Sequence, residues 1–327
     1  MWTTKTMMKT RKFLWAKFKK NKLFALGVAI FAYLLITPWL HLPTWGSASN
    51  SKIQFVSPNW VAENAKDANL RILDVRNLPL DYIDGHLPGA VNIADTAFRG
   101  PREGLPVQYW ENQKLGQIFA NSGVTNNSRV LVYSDGRDVL GATMVAYLLE
   151  RSGVKDIAVL DGGYKGYEAA SQKVTKEFPK YKISRFTVRD NPAVRVSLNE
   201  VRKLIGKKGV TFIDPRPADL FQGKENLWVR NGHIPGARNI PWPTFTDAQN
   251  PHKLKSLEEI KQILAAKKIT PADDIIVTCS TGREATLQYV VLKHLLGYPK
   301  VRVYEGSWTE YSSHSDLPVA TGPEQVS

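Results

Sequence analysis

The sequence predicts an α/β protein of two tandem domains, each an open, mostly parallel sheet with helices on both faces, and two observations carry that reading. The first is an internal duplication. Leu73-Asp74-Val75-Arg76 and then Asp84-Gly85-His86-Leu87-Pro88-Gly89-Ala90-Val91-Asn92-Ile93 in the first half match Ile213-Asp214-Pro215-Arg216 and then Asn231-Gly232-His233-Ile234-Pro235-Gly236-Ala237-Arg238-Asn239-Ile240 in the second. Further on, Val132-Tyr133-Ser134-Asp135 faces Val277-Thr278-Cys279-Ser280 across the two halves, and Leu160-Asp161-Gly162-Gly163-Tyr164 faces Tyr304-Glu305-Gly306-Ser307-Trp308. Asp135 and Cys279 are separated by 144 residues, and so are Gly162 and Gly306. A period this long excludes a solenoid of short repeats and points to two domains.

The second observation is alternation of strand-like and helix-like segments. Residues 71–75 and 211–214 are short apolar runs with a carboxylate near the end, and residues 129–133 and 274–278 are β-branched runs suited to buried parallel strands. Helical patterns follow at 142–150 and 284–296, the latter with Ala285, Leu287, Val290, Val291 and Leu295 at helical spacing and Gly297 and Pro299 to stop it. Strands return at 156–160 and 301–304. The expected domains are 50–170 and 193–320, joined by an extended charged linker at 171–192. Before them come a basic tail at 1–22 and an apolar segment at 23–40.

The net charge of +14 would by itself suggest nucleic acid or a membrane surface, but its distribution argues otherwise. Residues 1–22 hold eight Lys and Arg and no acid, leaving +6 for the remainder. No basic patch is interleaved with aromatics, so no nucleic-acid partner is expected. The segment 23–40, LFALGVAIFAYLLITPWL, carries no charge and would span about 27 Å as a helix, near a bilayer core of about 30 Å. Trp15, Trp39 and Trp45 flank it, and Lys17, Lys19, Lys20 and Lys22 precede it. The expectation is a transmembrane helix anchoring the chain in the inner membrane, with the N-terminus cytoplasmic and the domains periplasmic or extracytoplasmic. A cleaved signal peptide ending near Gly46-Ser47-Ala48 is the alternative.

Cys279 is the single cysteine, so an intramolecular disulfide is impossible. It stands where a buried strand gives way to a helix, the end of an open α/β sheet at which ligands bind. The following segment, Ser280-Thr281-Gly282-Arg283-Glu284, is short and polar. A loop curled around the sulfur would aim backbone N–H groups at it. Those amides, the helix start and Arg283 would favour thiolate, the nucleophilic form.

The order Asp-x-Arg, Gly-His-Ile-Pro-Gly-Ala, strand, Cys-x-x-Gly loop, Glu-Gly-x-Trp resembles two-domain rhodaneses, the thiosulfate and 3-mercaptopyruvate sulfurtransferases, over residues 53–318. The resemblance implies two rhodanese-like domains, a structural first domain with Asp135 in place of the cysteine, and one active site in the second. It implies that Cys279 takes sulfane sulfur from an anionic donor as a persulfide and passes it to a thiol or cyanide, with no metal or organic cofactor. Ser280, Thr281, Gly282, Arg283 and Glu284 are the expected substrate-binding loop, and Arg216 and Arg230 are further candidates for the donor's charge; Arg238 flanks the second histidine motif like Arg230. The loop departs from the family, since basic residues or Gly-Ser-Gly-Val-Thr commonly follow the cysteine. The donor is therefore open. His86 and His233, and the pairs Asp74/Arg76 and Asp214/Arg216, occur in both halves and are expected to be structural.

Two rivals belong to other classes. A cysteine phosphatase needs Cys, five residues and then Arg; position 285 is Ala, and the nearest arginine, Arg283, comes after only three. A persulfide carrier or binding module with little turnover would keep the same loop.

Overall fold

The computed structural model describes residues 51–324. The segment 23–40 and the basic tail lie outside them, and among the described residues no helix is long and apolar enough to cross a membrane.

The first domain runs through β1 (Lys52–Val56), β2 (Leu70–Asp74), β3 (Ala90–Asn92), the hairpin strands β4 (Arg99–Arg102) and β5 (Leu105–Tyr109), β6 (Arg129–Tyr133) and β7 (Asp156–Leu160). The second contains β8 (Arg195–Val196), β9 (Val210–Asp214), β10 (Arg238–Asn239), β11 (Asp274–Val277) and β12 (Val301–Tyr304). Each domain has one five-stranded sheet, ordered β1-β7-β6-β2-β3 and β8-β12-β11-β9-β10. Every pairing within the two sheets is parallel. The two orders are the same once strands are matched by the duplicated motifs, so the repeat seen in the sequence is a repeat of topology.

Parallel strands covered on both faces must be apolar on alternate residues in both directions. In the first domain Ile53, Leu73, Val130, Val132, Ile157 and Val159 enter one core, while Val56, Ile72, Leu131, Tyr133, Ala158 and Leu160 enter the other. The second domain does the same with Ile213, Ile275, Val277, Val301 and Val303 on one side and Phe212, Ile276 and Tyr304 on the other. Burying each such side chain contributes about 1.5–3 kcal/mol.

The first of these cores is continuous across both domains. The helix Leu140–Arg151 is buried at every residue, because it is covered by its own sheet and by the second domain. Tyr147 donates to Glu305 Oε1 at 2.6 Å, Tyr289 donates to Glu150 Oε2 at 2.9 Å, and the Thr143 and Thr286 hydroxyls meet at 3.0 Å. The helix expected over 284–296 is instead an α-helix at Ala285–Val290 followed by a π-helical stretch at Val291–Leu295. That wider stretch carries His294, whose Nε2 lies 2.9 Å from Glu150 Oε2 across the interface. Cross-domain pairing of this kind leaves no trace in local periodicity.

The segment 171–191 carries no helix or extended strand, but it is not detached. Thr175 bridges His86, Ser184 N–H donates to Ala120 O at 2.9 Å, and Arg189 N–H donates to Ser152 O at 2.9 Å. The chain thereby crosses the first domain before entering the second.

Candidate active site

β11 ends at Val277, and the Thr278 amide still donates to Ile213 O of the neighbouring strand at 2.9 Å. Cys279 follows at the carboxyl end of the sheet and is fully buried. The turn after β12 fixes its backbone. The Cys279 amide donates to Ser307 Oγ at 3.1 Å, and the Trp308 amide donates to Cys279 O at 2.8 Å. Ser307 stands at φ 50°, in the left-handed region that a side chain disfavours; its counterpart Gly163 has φ 62°. A serine in a glycine position puts a hydroxyl 3.8 Å from Cys279 Sγ and lets it donate to Tyr304 O at 2.9 Å. The sequence carried this signal in Gly-Ser-Trp against Gly-Gly-Tyr, and motif matching passed over it.

The loop does curl around the sulfur. The Gly282 amide donates to Sγ at 3.1 Å, and the Thr281 and Ala285 amides act on the thiol by lowering its pKa. Gly282 adopts φ 86°, and a Cβ there would lie 2.9 Å from Glu305 O, so only glycine fits. These amides do not yield a low-pKa thiol. Burial is the largest effect and pushes the Cys279 thiol well up; the negative charge of Glu284 adds to it, and together these outweigh the pull of the amides. Arg283 is not among the partners of the sulfur; its guanidinium pairs with Asp95 and Asp138.

Arg283 instead crosses into the first domain. Its Nη2 lies 2.7 Å from Asp95 Oδ2 and 2.8 Å from Asp138 Oδ1, and all three side chains are shielded from solvent. The guanidinium locks the loop to the first domain. Arg216 is likewise taken up by the fold. It is fully buried, pairs with Asp214 at 2.7 Å, donates to Gly232 O at 2.8 Å and lies over the Trp308 ring. Arg230 donates to the carbonyls of Ser312, Leu317, Tyr311 and His314, closing the end of the C-terminal helix Ser307–Ser313. Arg283 and Arg230 spend their guanidinium nitrogens on these partners, whereas the buried Nη1 of Arg216 has none. Ser280 is buried, and its carbonyl accepts from the Thr309 amide at 3.1 Å and hydroxyl at 2.8 Å.

Residues that no motif marked come from the β4–β5 hairpin. Arg99 Nη1 donates to Thr281 Oγ1 at 3.1 Å, and Tyr109 donates to Gly282 O at 2.8 Å. Arg99 makes no ion pair among the described residues. The first domain therefore touches the cysteine loop through this hairpin.

The duplicated motifs behave as expected of scaffolding. Asp74 and Arg76 form the same buried pair as Asp214 and Arg216. His86 Nδ1 meets Tyr82 O at 2.8 Å, and His233 Nδ1 meets Phe221 O at 2.8 Å, each ring stacked on its neighbour. Asp135, the counterpart of Cys279, lines a cavity of about 250 Å³ together with Arg76, Asp81, Asp95, Asp138 and Arg283. Among the described residues no group of three or more His, Cys, Asp and Glu is placed to hold a metal.

This architecture is shared with known proteins. The chain matches the model of the rhodanese-like domain twice, at residues 57–170 and 197–314. A protein described as "Putative thiosulfate sulfurtransferase" from Synechococcus elongatus is 59% identical over 98% of this chain and all of its own length. "Sulfur carrier protein TtuD" of Thermus thermophilus is 32% identical over 82% of this chain and 97% of its own. "3-mercaptopyruvate sulfurtransferase" of Escherichia coli is 28% identical over 81% and 97%. Among solved structures, YnjE superposes with a TM-score of 0.73 at 24% identity, covering 82% of this chain and 68% of its own, which speaks to fold alone. With two matching domains, one cysteine-bearing loop and relatives spanning nearly their full lengths, the chain belongs to the rhodanese family of sulfurtransferases.

Proposed function

We propose that this chain moves sulfane sulfur from an anionic donor, thiosulfate or 3-mercaptopyruvate, to a thiol or cyanide acceptor through a persulfide on Cys279. The observation that carries this is a buried cysteine at the end of a buried strand, with the Gly282 N–H donating to its Sγ at 3.1 Å. Such donors stabilise the negative charge that a persulfide brings. The chemistry needs a soft nucleophile, which a hydroxyl or carboxylate does not supply. The relatives named for thiosulfate and for 3-mercaptopyruvate support both donors. The relative named a sulfur carrier supports a second reading, in which the same persulfide is formed but turned over slowly. Steady-state turnover with excess thiosulfate and cyanide separates the two: repeated cycles support the enzyme, and a single equivalent transferred per chain supports the carrier.

Arg99 is the donor's counter-charge in this reading, because Arg283 and Arg230 are occupied within the fold and Arg216 is fully buried. Arg99→Ala is expected to raise KM for thiosulfate about tenfold or more with kcat changed less, the signature of a lost charge-assisted contact. An unchanged KM would remove Arg99 from donor binding.

The segment 23–40 is read as an inner-membrane anchor that holds the two domains on the periplasmic or extracytoplasmic side, on the strength of its uncharged length and the lysines before it. A reporter fused after Ser327 is expected to be active only when exported. A reporter active only in the cytoplasm contradicts the orientation, and a mature N-terminus near Ser49 contradicts the anchor.

A further inference from the structure

The charged linker expected at 171–192 takes no part in the sulfur chemistry. Between Lys173 and Arg189 it holds four lysines and two arginines against one acid, Glu177. The fold ties it down on both sides of its middle. The Thr175 amide donates to His86 O at 2.9 Å, the Ser184 amide to Ala120 O at 2.9 Å, and the Thr187 amide to Asn126 Oδ1 at 3.0 Å. What lies between is turned to solvent. Lys180, Tyr181, Lys182 and Ile183 are consecutive exposed residues; Ile183 is 73% exposed, and Phe178 just before them is 62% exposed. Bases thus alternate with aromatic and aliphatic side chains on an open surface. This corrects the sequence reading, which found no basic patch interleaved with aromatics; the linker is one.

Beside the strip is a cavity of about 540 Å³. Its charged lining residues are Arg71, Lys180 and Lys182, with no carboxylate among them. Arg71 donates from Nε and Nη1 to the carbonyls of Gly123, Ala68 and Leu70, which fixes the guanidinium and leaves Nη2 without a bond among the described residues. None of the three cations makes an ion pair among the described residues. Like charges gathered without a counter-ion repel one another and attract an anion from outside. Tyr181 and Ile183 give the same cavity an apolar side. It sits at the amino edge of the first sheet: Leu70, which lines it, is in register with Arg129, Asp156 and Lys52 across β2, β6, β7 and β1. Those three strand spacings cover about 14 Å. Ser51, the first described residue, precedes Lys52, so the chain enters the domain at this same edge. Residues 41–50, between it and the apolar segment, reach at most about 36 Å.

We propose that this edge of the first domain docks on a bilayer surface bearing anionic headgroups, with one headgroup held by Arg71, Lys180 and Lys182 and with Phe178, Tyr181 and Ile183 set among the headgroups around it. The inference rests on the anchor reading above for proximity to the bilayer, and it adds which face of the domain meets the lipid. Basic side chains attract the anionic surface, while neighbouring apolar side chains gain by leaving water at the headgroup boundary. Lysine stems lie along apolar surface and keep their charge at headgroup level. A nucleic acid is the lesser fit, since Ile183, the most exposed apolar side chain of the strip, gives bases no ring to stack on.

The test uses the full chain with Cys279→Ser and Ile183→Cys, so that a polarity-sensitive fluorophore sits at position 183 alone. The labelled chain is reconstituted into phosphatidylcholine vesicles with or without phosphatidylglycerol. With phosphatidylglycerol the emission is expected to shift to the blue and to be quenched by spin-labelled lipid. Both effects are expected to be lost in high salt, which screens exposed charges, and in Lys180→Glu with Lys182→Glu. The two lysines are exposed, so in a chain that keeps Cys279 the same pair of substitutions should leave thermal unfolding and thiosulfate turnover in detergent unchanged. A label that reads the same in both lipids, on a chain that stays with the vesicles through a high-salt wash, overturns this inference and leaves the anchor standing. A chain that the wash strips away overturns the anchor reading, and the label read before the wash still decides the surface. A label that ignores both vesicles but responds to inorganic phosphate or to a single-stranded oligonucleotide overturns the inference in favour of a soluble anion or a nucleic acid.

Discussion

Cys279→Ser is expected to abolish sulfur transfer, by at least a thousandfold, or about 4 kcal/mol of barrier. The substitution is nearly isosteric and leaves the backbone bonds to Ser307 and Trp308 available, so the fold should be unchanged. The chemistry is what fails. A serine hydroxyl does not ionise near neutral pH and is a poor partner for sulfane sulfur. No second cysteine exists in the chain to take over. Turnover with thiosulfate and cyanide, measured on a variant whose thermal unfolding matches wild type, checks the result. Residual turnover within tenfold of wild type would mean that sulfur does not pass through this residue.

Arg283→Ala is expected to destabilise the protein by about 3–5 kcal/mol, because it strands two buried carboxylates without their cation. Asp95 and Asp138 are almost entirely enclosed, and Arg283 bonds both across the domain interface. Burial pushes the Asp138 carboxyl up, but the guanidinium prevails and holds it below its ordinary value. A carboxylate depressed in the folded state stabilises the fold above its unfolded pKa, near 3.9, and loses that contribution as pH falls through the lower folded value. The stability gap between wild type and Arg283→Ala should therefore be full at neutral pH and shrink below about pH 4. Denaturant unfolding at neutral and acidic pH measures this. A variant as stable as wild type, altered only in KM, would return Arg283 to donor binding.

The sequence made the sheet legible because parallel strands buried on both faces are apolar runs whatever their surroundings, and here the runs came twice. Residues 129–133, 156–160 and 301–304 match observed strands, 211–214 and 274–278 differ by one residue at one end, and 71–75 is shifted by one residue. Cys279 was legible for a similar reason, since a strand end followed by a short polar loop with glycine is a local pattern. The pairs Asp74/Arg76 and Asp214/Arg216 and the two histidines declared themselves structural by recurring in both halves. What stayed hidden was long-range. Arg283 is 188 residues from Asp95, and Arg99 is 182 residues from Thr281, so no spacing rule links them. The charge of Arg283 was legible but its direction was not, and direction decides whether an arginine activates a thiol or braces an interface.

The central claim is that sulfur travels on Cys279. The most direct measurement is mass spectrometry of the full chain after exposure to thiosulfate or 3-mercaptopyruvate with no acceptor present. The account predicts one added sulfur, about 32 Da, on the peptide carrying Cys279, removable by cyanide or a reductant and absent from Cys279→Ser. An unchanged mass with every donor, in protein whose Cys279 is reduced and folded, or added sulfur that persists in Cys279→Ser, would contradict it.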